Sequence, residues 1–331
     1  MLEYKLKKKE TLPSTFNMAL STLRIVFMGT PEFAVASLDA LLKAGYNVVA
    51  VITAPDKPAG RGMQLQQSAI KKYAVEHGLK ILQPEKLKSP VFIEELRSLH
   101  ADLHIVVAFR MLPELIWNMP PMGTINLHGS LLPQYRGAAP VNWAIINGEK
   151  ETGVTTFKLK HEIDTGDILL QESFPIGENE TAGEVHDKMK EIGASLLVKT
   201  IAGLADGNVR EVPQLLLPLT THHLPLKHAP KINTESCRID WSQPVENIYN
   251  LVRGLSPYPA AFIVINEKVL KIYKAKMEIV FPTTTEGDYE TDGKTFLKFA
   301  CANGYLHLTE VQLEGKKKMS IEDFLRGYHF N

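Results

Sequence analysis

The sequence predicts an α/β fold in two parts: a mostly parallel sheet covered by helices, followed by a small β-barrel. In the first half, short apolar runs alternate with stretches whose apolar residues recur at helical spacing, which is typical of βαβ units. Beyond residue 230 the pattern changes to several short β-rich runs separated by turns, which is typical of small barrels. A chain of 331 residues is also long enough for two domains.

The first half opens with a buried strand at 23–28 and an amphipathic helix. Thr30 is expected to cap this helix and Pro31 to lie in its first turn, with Gly45 ending it. Two more strands and two more helices follow, the strands at 47–53 and 102–109 and the helices around 66–77 and 90–99. The strands are strongly apolar, which favours a parallel sheet that is buried on both faces.

After about residue 150 the pattern changes, and the chain divides into four parts. Strands at 153–160 and 168–176 and a helix at 182–205 complete the first domain. Beyond a proline-containing stretch we expect a helix at 245–255, strands at 261–266, 269–277, 295–301 and 306–313, and a helix at 321–327. The predicted parts are a disordered extension at 1–21, a domain at 22–205, a linker at 206–230 and a second domain at 231–331.

The overall charge is zero, with 37 lysines and arginines against 37 aspartates and glutamates, so composition alone does not indicate a polyanionic partner. Cys237 and Cys301 lie far apart with no histidine at ligand spacing, so we expect no metal site and a reducing, cytoplasmic compartment. No run approaches the roughly 18 apolar residues of a membrane span, so we expect no membrane partner. We expect a monomer.

The turn after the first strand, at 29–33 (GTPEF), does not carry a nucleotide-binding motif. A dinucleotide site needs three glycines, for the turn, for the approach of the pyrophosphate and for helix packing. Here there is one glycine, Pro31 lacks an N–H group, and Glu32 places a carboxylate where a phosphate would lie. An NAD-dependent dehydrogenase is therefore disfavoured.

The most informative stretch is 123–140 (GTINLHGSLLPQYRGAAP). Its first part alternates, so Asn126 and His128 are expected on one face of a strand, at its carboxyl end. Ligands of open α/β sheets bind at that end. A single histidine in a strand is more often structural than catalytic, but a carboxamide beside an imidazole, followed by a loop with Pro133, favours a functional site.

A second polar cluster lies at 161–167 (HEIDTGD), between two predicted strands. One interpretation is a surface turn, because Asp-Thr-Gly-Asp is a good turn sequence. The other is that a carboxylate of this cluster lies beside His128, where it would stabilise the charged imidazole and fix its tautomer. His161 has no second histidine or cysteine nearby, which disfavours a metal site.

From about residue 23 to its end, the chain resembles the formyltransferases that use 10-formyltetrahydrofolate. The segments that carry the resemblance are FMGTPEF at 27–33, DKPAGRG at 56–62, NLHGSLLPQYRGAAP at 126–140 and HEIDTGDIL at 161–169. The resemblance implies a Rossmann-like catalytic domain followed by an OB-like, tRNA-binding barrel. It also implies three catalytic residues, Asn126, His128 and Asp164, with 10-formyltetrahydrofolate as the co-substrate and no metal.

The resemblance also implies where the folate binds. The implied contacts are a loop of Ser130, Leu131, Leu132 and Pro133 and, near the pterin, Phe109, Arg110, Met111 and Leu112. The second of these segments, AFRMLP, is one residue shorter than the AYGxxLP form that is common in the family. Arg110 stands where that form has a glycine.

The acceptor implied by the PAGRG segment and the second domain is methionyl initiator tRNA. Arg61 matches the key basic residue of the loop that approaches the tRNA in this family, and Lys57 and Lys71 belong to the same basic stretch. In the predicted barrel, Lys271 and Lys274 belong to a lysine cluster that is able to form a phosphate-binding face.

Three alternatives stay open. A glycinamide ribonucleotide formyltransferase would share the Asn-x-His pair, but such a protein typically ends near residue 205. A sugar-nucleotide formyltransferase can also carry a C-terminal barrel, although the PAGRG segment fits tRNA better. A non-catalytic nucleic-acid-binding protein would not need Asn126, His128 and Asp164 together.

Overall fold

The structure is a computed structural model that describes residues 22–59, 64–216 and 225–328. The predicted extension at 1–21 and the predicted tRNA contact Arg61 lie outside these residues. Among the helices of the described ranges, none is both long enough and apolar enough to cross a bilayer.

A seven-stranded sheet forms the centre of the first half of the chain. In spatial order its strands are β10 (Ile168–Pro175), β9 (Glu151–Lys158), β7 (Thr124–His128), β6 (Leu103–Val107), β1 (Arg24–Gly29), β2 (Asn47–Ile52) and β5 (Ile81–Leu82). The five strands from β7 to β5 run parallel to one another, whereas β9 pairs antiparallel with both β7 and β10. The prediction of a mostly parallel sheet is confirmed.

Six helices accompany this sheet within the described residues. They are α1 (Glu32–Lys43), α2 (Ala69–Glu76), α3 (Pro90–Ser98), α4 (Glu114–Trp117), α5 (Pro140–Ile146) and α6 (Ala182–Ala205). Because strand side chains alternate, Ile25 and Phe27 of β1 pack in one apolar cluster with α1 and α6. Val26 and Met28 pack in a second cluster with α3 and α4, so apolar layers cover both faces of the sheet.

The prediction that Thr30 caps α1 is wrong. Pro31 occupies the N-cap position in extended conformation, and its carbonyl accepts a hydrogen bond from the Ala34 N–H at 3.1 Å. Thr30 therefore lies one residue too early for its hydroxyl to reach the first turn. Glu32 lies in that turn, where its charge favours the positive end of the helix dipole.

The second half of the chain contains an antiparallel sheet that curls around its own apolar cluster. Its strands are β12 (Ala261–Ile265), β13 (Lys268–Glu278), β16 (Gly304–Leu313), β15 (Leu297–Cys301) and β14 (Tyr289–Thr291), with β17 (Met319–Ser320) paired to β16. Helices α7 (Val245–Leu255) and α8 (Ile321–Gly327) contribute Ile248, Val252 and Phe324 to the same cluster. The expectation of a small β-rich second domain is confirmed.

Two short strand pairs complete the fold. A hairpin is formed by β3 (Lys57–Ala59) and β4 (Gln64–Gln66), and β8 (Arg136–Gly137) pairs in parallel with β11 (His228–Ala229). Strand β11 belongs to the stretch that we predicted as a linker, and Val212 of the same stretch pairs with Ile168 of β10. The described part of this stretch is therefore packed on the first half of the chain.

The two halves are joined by direct hydrogen bonds. The Asn142 side chain of α5 donates to the Gly254 carbonyl of α7 at 2.7 Å, and the Tyr249 hydroxyl donates to Asn179 at 2.7 Å. The Gly183 N–H of α6 donates to the Ser256 carbonyl at 3.0 Å. These contacts bring the segment after α7 to the carboxyl end of the parallel strands.

Candidate active site

A cavity of about 1260 Å³ lies at the carboxyl end of the parallel strands. Its lining includes Asn126, His128 and Asp164, which are 38 positions apart in sequence at most. Residues of the Pro31 turn, of α6 and of the second half of the chain complete the wall. The position agrees with the rule that open α/β sheets bind ligands at this edge.

Asn126 and His128 reach the cavity because they are two residues apart on β7. Ile125 and Leu127, which alternate with them, pack into the apolar cluster on the other face of the sheet. Two polar side chains thus stand side by side where the strand ends, and His128 is nearly buried, with 6% of its surface exposed.

A backbone carbonyl sets the tautomer of His128. The Nε2 atom lies 2.9 Å from the Tyr135 carbonyl, which can only accept a hydrogen bond, so Nε2 carries a proton. Nδ1 then faces the Asp164 carboxylate, 3.7 Å from Oδ2. We expected the carboxylate to fix the tautomer, but Tyr135 does so, and Nδ1 is left to face the carboxylate.

The side chain of Asp164 is held in place by a backbone N–H group. Its Oδ2 accepts a hydrogen bond from the Gly137 N–H at 2.9 Å, and its side chain is only 12% exposed. The backbone of Asp164 is left-handed, with φ of +54°. Gly166 follows where the loop returns against β9, and a Cβ there would come within 1.6 Å of the Lys158 carbonyl oxygen. The 161–167 cluster is thus a tight turn that also aims a carboxylate at His128.

Of the two segments predicted to contact the folate, one lines the cavity and the other does not. Phe109, Arg110, Met111 and Leu112 line the cavity. The Arg110 guanidinium donates to the carbonyls of Pro84 and of Glu85, and it lies 5.6 Å from the Phe109 ring centroid. Arg110 therefore connects the cavity wall to the segment before α3.

Ser130 to Pro133 are not brought to the cavity lining. Ser130 is fully buried, and its hydroxyl donates to the Gln134 carbonyl at 2.7 Å. Leu132 packs with Phe157 and Ile168 in a small apolar cluster. Ser130 and Leu132 are thus held by contacts of their own, and direct folate contacts by the four residues stay a prediction.

The predicted tRNA contacts differ in whether their side chains are exposed or already bound within the protein. Lys57 and Lys274 are exposed. Lys71 forms an ion pair with Asp56, and the Lys271 ammonium donates to the Pro259 carbonyl at 3.2 Å. A lysine that is occupied by its own protein is a weaker phosphate ligand, so of these four only Lys57 and Lys274 have the exposure expected of a tRNA contact.

Sequence reasoning missed the part of the wall that comes from the second half of the chain. Ser256, Pro257 and Tyr258 line the cavity, and Tyr258 is 81% exposed. They follow α7 and reach the site through the contacts between the two halves, which leave no local pattern in the sequence. The described residues contain no group of three or more histidine, cysteine or acidic side chains that is able to hold a metal ion.

Comparisons with known proteins give the class. The family model for formyl transferases matches residues 23–201, and the model for the formyl transferase C-terminal domain matches residues 231–329. The chain belongs to the formyl transferase family.

The curated relatives narrow this class. A methionyl-tRNA formyltransferase of Bacteroides fragilis is 51% identical over 317 residues, covering 94% of this chain and 97% of that protein. The methionyl-tRNA formyltransferase of Parabacteroides distasonis is 55% identical over 317 residues, with the same coverage of 94% and 97%. Among solved structures, an N-formyltransferase from Helicobacter canadensis has a TM-score of 0.65 at 22% identity, covering 89% of this chain and 99% of that one, and shares the fold.

Proposed function

We propose that the protein transfers the formyl group of 10-formyltetrahydrofolate to the α-amino group of methionyl initiator tRNA. The observation that carries the proposal is the single cavity that brings Asn126, His128 and Asp164 together. The high identity to methionyl-tRNA formyltransferases over nearly the whole chain supports the choice of acceptor. The sugar-nucleotide alternative has support from the fold alone, because the neighbouring structure is only 22% identical.

The cavity suits a folate in size and chemistry. Its volume of about 1260 Å³ exceeds the roughly 300–1,000 Å³ of a typical small-molecule pocket, which leaves room for an acceptor beside the co-substrate. Phe109, Leu112 and Trp117 supply an apolar wall, against which a pterin ring can pack. The same lining carries the polar side chains of Asn126, His128 and Asp164.

The geometry supports stabilisation of an oxyanion. Attack of the amine on the formyl carbon makes a tetrahedral centre whose oxygen carries a developing negative charge. We assign the Asn126 amide and the protonated Nδ1 of His128 as hydrogen-bond donors to that oxygen. Removing one such donor costs about 3–4 kcal/mol in comparable sites. Asp164 stabilises the imidazolium from 3.7 Å away.

One proton has to move for the reaction to balance. The new N–C bond leaves the attacking nitrogen with a proton to lose, and the bond from the formyl carbon to N10 breaks, which leaves N10 with a proton to gain. We assign Asp164, directly or through water, as the group that accepts the first proton, and that proton passes on, again directly or through water, to N10. No covalent enzyme intermediate is needed.

We propose Arg61, Lys57 and Lys274 as phosphate contacts of the tRNA, with Lys71 and Lys271 as contacts that would first have to leave their own partners. We also propose that the protein is a cytoplasmic monomer. Its two cysteines, Cys237 and Cys301, are both buried and free, which fits a reducing compartment.

The deciding experiment compares acceptors. Purified protein is given 10-formyltetrahydrofolate and either methionyl initiator tRNA, glycinamide ribonucleotide or a nucleotide-linked amino sugar. We expect formylation of the charged tRNA with a kcat/KM at least about a thousandfold above the other two, since only the tRNA uses contacts outside the cavity. Preference for either small acceptor would overturn the proposal.

A further inference from the structure

Gln214 is a buried polar side chain in the segment that joins the two halves. It lies in a single 3-10 turn and is 4% exposed. An amide is costly to bury unless its donors and acceptors are paired. Its Nε2 donates to the carbonyls of Asp164 and Gly166, both at 2.8 Å. Its Oε1 accepts from Arg136 Nε at 3.1 Å and from Arg136 Nη2 at 2.5 Å, so the whole amide is used.

These bonds join two segments that build the site. One is the turn that carries Asp164, and the other is strand β8, whose Gly137 N–H donates to the Asp164 carboxylate. Gln214 therefore fixes the backbone of Asp164 and also the strand that holds its side chain. Asp164 has a left-handed backbone, which aspartate adopts more readily than most residues, and the two bonds from Gln214 hold it in that conformation.

Gln214 is itself held in a fixed place. Two residues earlier, the Val212 N–H donates to the Ile168 carbonyl at 2.9 Å, and the Ile168 N–H donates to the Val212 carbonyl at 2.8 Å. This pair attaches the segment to the edge strand β10. The Gln214 amide thus connects a segment that is anchored on β10 to the turn that carries Asp164.

We propose that Gln214 is a positioning residue that holds the Asp164 carboxylate in place beside His128. The inference rests on the proposed function, because it assigns Gln214 a part in that reaction. Gln214 is not part of the cavity lining, so it acts through Asp164 and not on the substrates. Its loss is expected to lower kcat and to leave both KM values unchanged.

The test uses Gln214→Glu, which keeps an acceptor for Arg136 and removes both donors to the turn. We expect kcat to fall about tenfold to a hundredfold, as for a displacement of about 1 Å at a catalytic group. The KM values for charged tRNA and for 10-formyltetrahydrofolate should stay within about twofold. The matched control is Gln312→Glu in the second half of the chain, which keeps an acceptor for the Tyr273 hydroxyl, removes the donor to the Lys316 carbonyl and lies outside the cavity lining.

A double-mutant cycle separates positioning from general stability. In an Asp164→Asn background, Gln214→Glu should cost almost nothing further in kcat. Additive losses, or a kcat within about twofold of wild type for Gln214→Glu, would overturn the inference.

A second readout does not depend on any acceptor. The Cα and carbonyl carbon NMR shifts of Asp164 report its left-handed backbone, and we expect Gln214→Glu to move them while Gln312→Glu does not. Unmoved shifts would also overturn the inference. A wild-type protein that fails to formylate charged tRNA would instead overturn the proposed function, with the NMR comparison still deciding the role of Gln214.

Discussion

The behaviour of His128 depends on which nitrogen is free. Tyr135 holds Nε2, so Nδ1 alone can serve the reaction, and Asp164 stands beside it. Asp164→Asn keeps the shape and an oxygen for the Gly137 N–H but removes the charge. We expect kcat to fall by about a hundredfold to a thousandfold with the KM for charged tRNA little changed. A kcat near wild type, measured under single-turnover conditions, would remove Asp164 from the mechanism.

The pair Asn126 and His128 could be placed from sequence, whereas the partner of His128 could not. A period of two puts both side chains on one face of any strand. The bond between His128 Nε2 and the Tyr135 carbonyl depends on the left-handed backbone of Tyr135, whose φ is +59° in the loop after the strand. Tyrosine does not favour a left-handed backbone, so the sequence could not predict which nitrogen of His128 faces Asp164.

A second histidine, His104, links stability to pH. It is 1% exposed on β6, and among the described residues its Nδ1 has no hydrogen-bond partner. Burial lowers the pKa of His104 from 6.5 to about 4, so the unfolded chain binds a proton at higher pH than the folded one. Stability is therefore lost as the pH falls from about 6.5 through about 4, by about 3 kcal/mol in total.

The check is denaturant unfolding of wild type and His104→Asn between about pH 7.5 and pH 4.5. The variant keeps a polar side chain that does not titrate, so its stability should fall less over this interval. His100→Asn is the matched control, because His100 is exposed and asparagine tolerates its positive φ of 45°. Equal slopes for wild type and His104→Asn would contradict the prediction.

At the scale of elements, strong local signals gave accurate bounds. Helix α6 was predicted at its observed limits, and Thr181 and Glu184 form a capping box at its start. Helices α4 and α5, of 4 and 7 residues, were not predicted because fewer than two turns show little periodicity. The pair β8 and β11 joins segments about 90 residues apart, and each strand has only two residues, so its sequence carries no strand pattern.

The turn between β9 and β10 is the element on which the site most depends. Gly166→Ala would place a methyl group against the Lys158 carbonyl, so the backbone has to move. We expect a loss of about 1–3 kcal/mol in the free energy of unfolding and a fall in kcat, because Asp164 lies two residues away. Gly327→Ala is the control, since nothing lies within 4 Å of its Cβ position.

Thermal unfolding and turnover are measured on both glycine variants. Gly327→Ala should match wild type in each. A Gly166→Ala protein with wild-type kcat at a temperature well below its Tm would show that the turn tolerates a shift without disturbing Asp164.

At the scale of the whole molecule, the net charge did not indicate a nucleic-acid partner, whereas the change of sequence pattern along the chain indicated two apolar clusters. The zero net charge described an average, while lysines such as Lys57 and Lys274 remain exposed. The two apolar clusters behind the two sheets follow from local patterns, so both halves could be predicted. Their docking could not, because it rests on single side chains such as Asn142 and Tyr249, which bond across a distance in sequence that no periodicity covers.

That docking places Tyr258 at the cavity, and its ring leads to the last prediction. The side chain is 81% exposed beside a site that has to receive the end of a nucleic acid. An exposed ring offers a face on which a nucleobase can stack, and such stacking contributes about 1–3 kcal/mol per base. We expect Tyr258→Ala to raise the KM for charged tRNA about fivefold to a hundredfold, with the KM for 10-formyltetrahydrofolate unchanged.

Tyr258→Phe keeps the ring and loses only the hydroxyl, so it should retain the wild-type KM for charged tRNA. A matching rise in both variants would assign the effect to the hydroxyl instead. An unchanged KM in Tyr258→Ala would mean that the second half of the chain closes the cavity without contacting the tRNA there. In that case, the affinity for tRNA would have to come from the exposed lysines, and it would fall steeply with salt in wild type and variant alike.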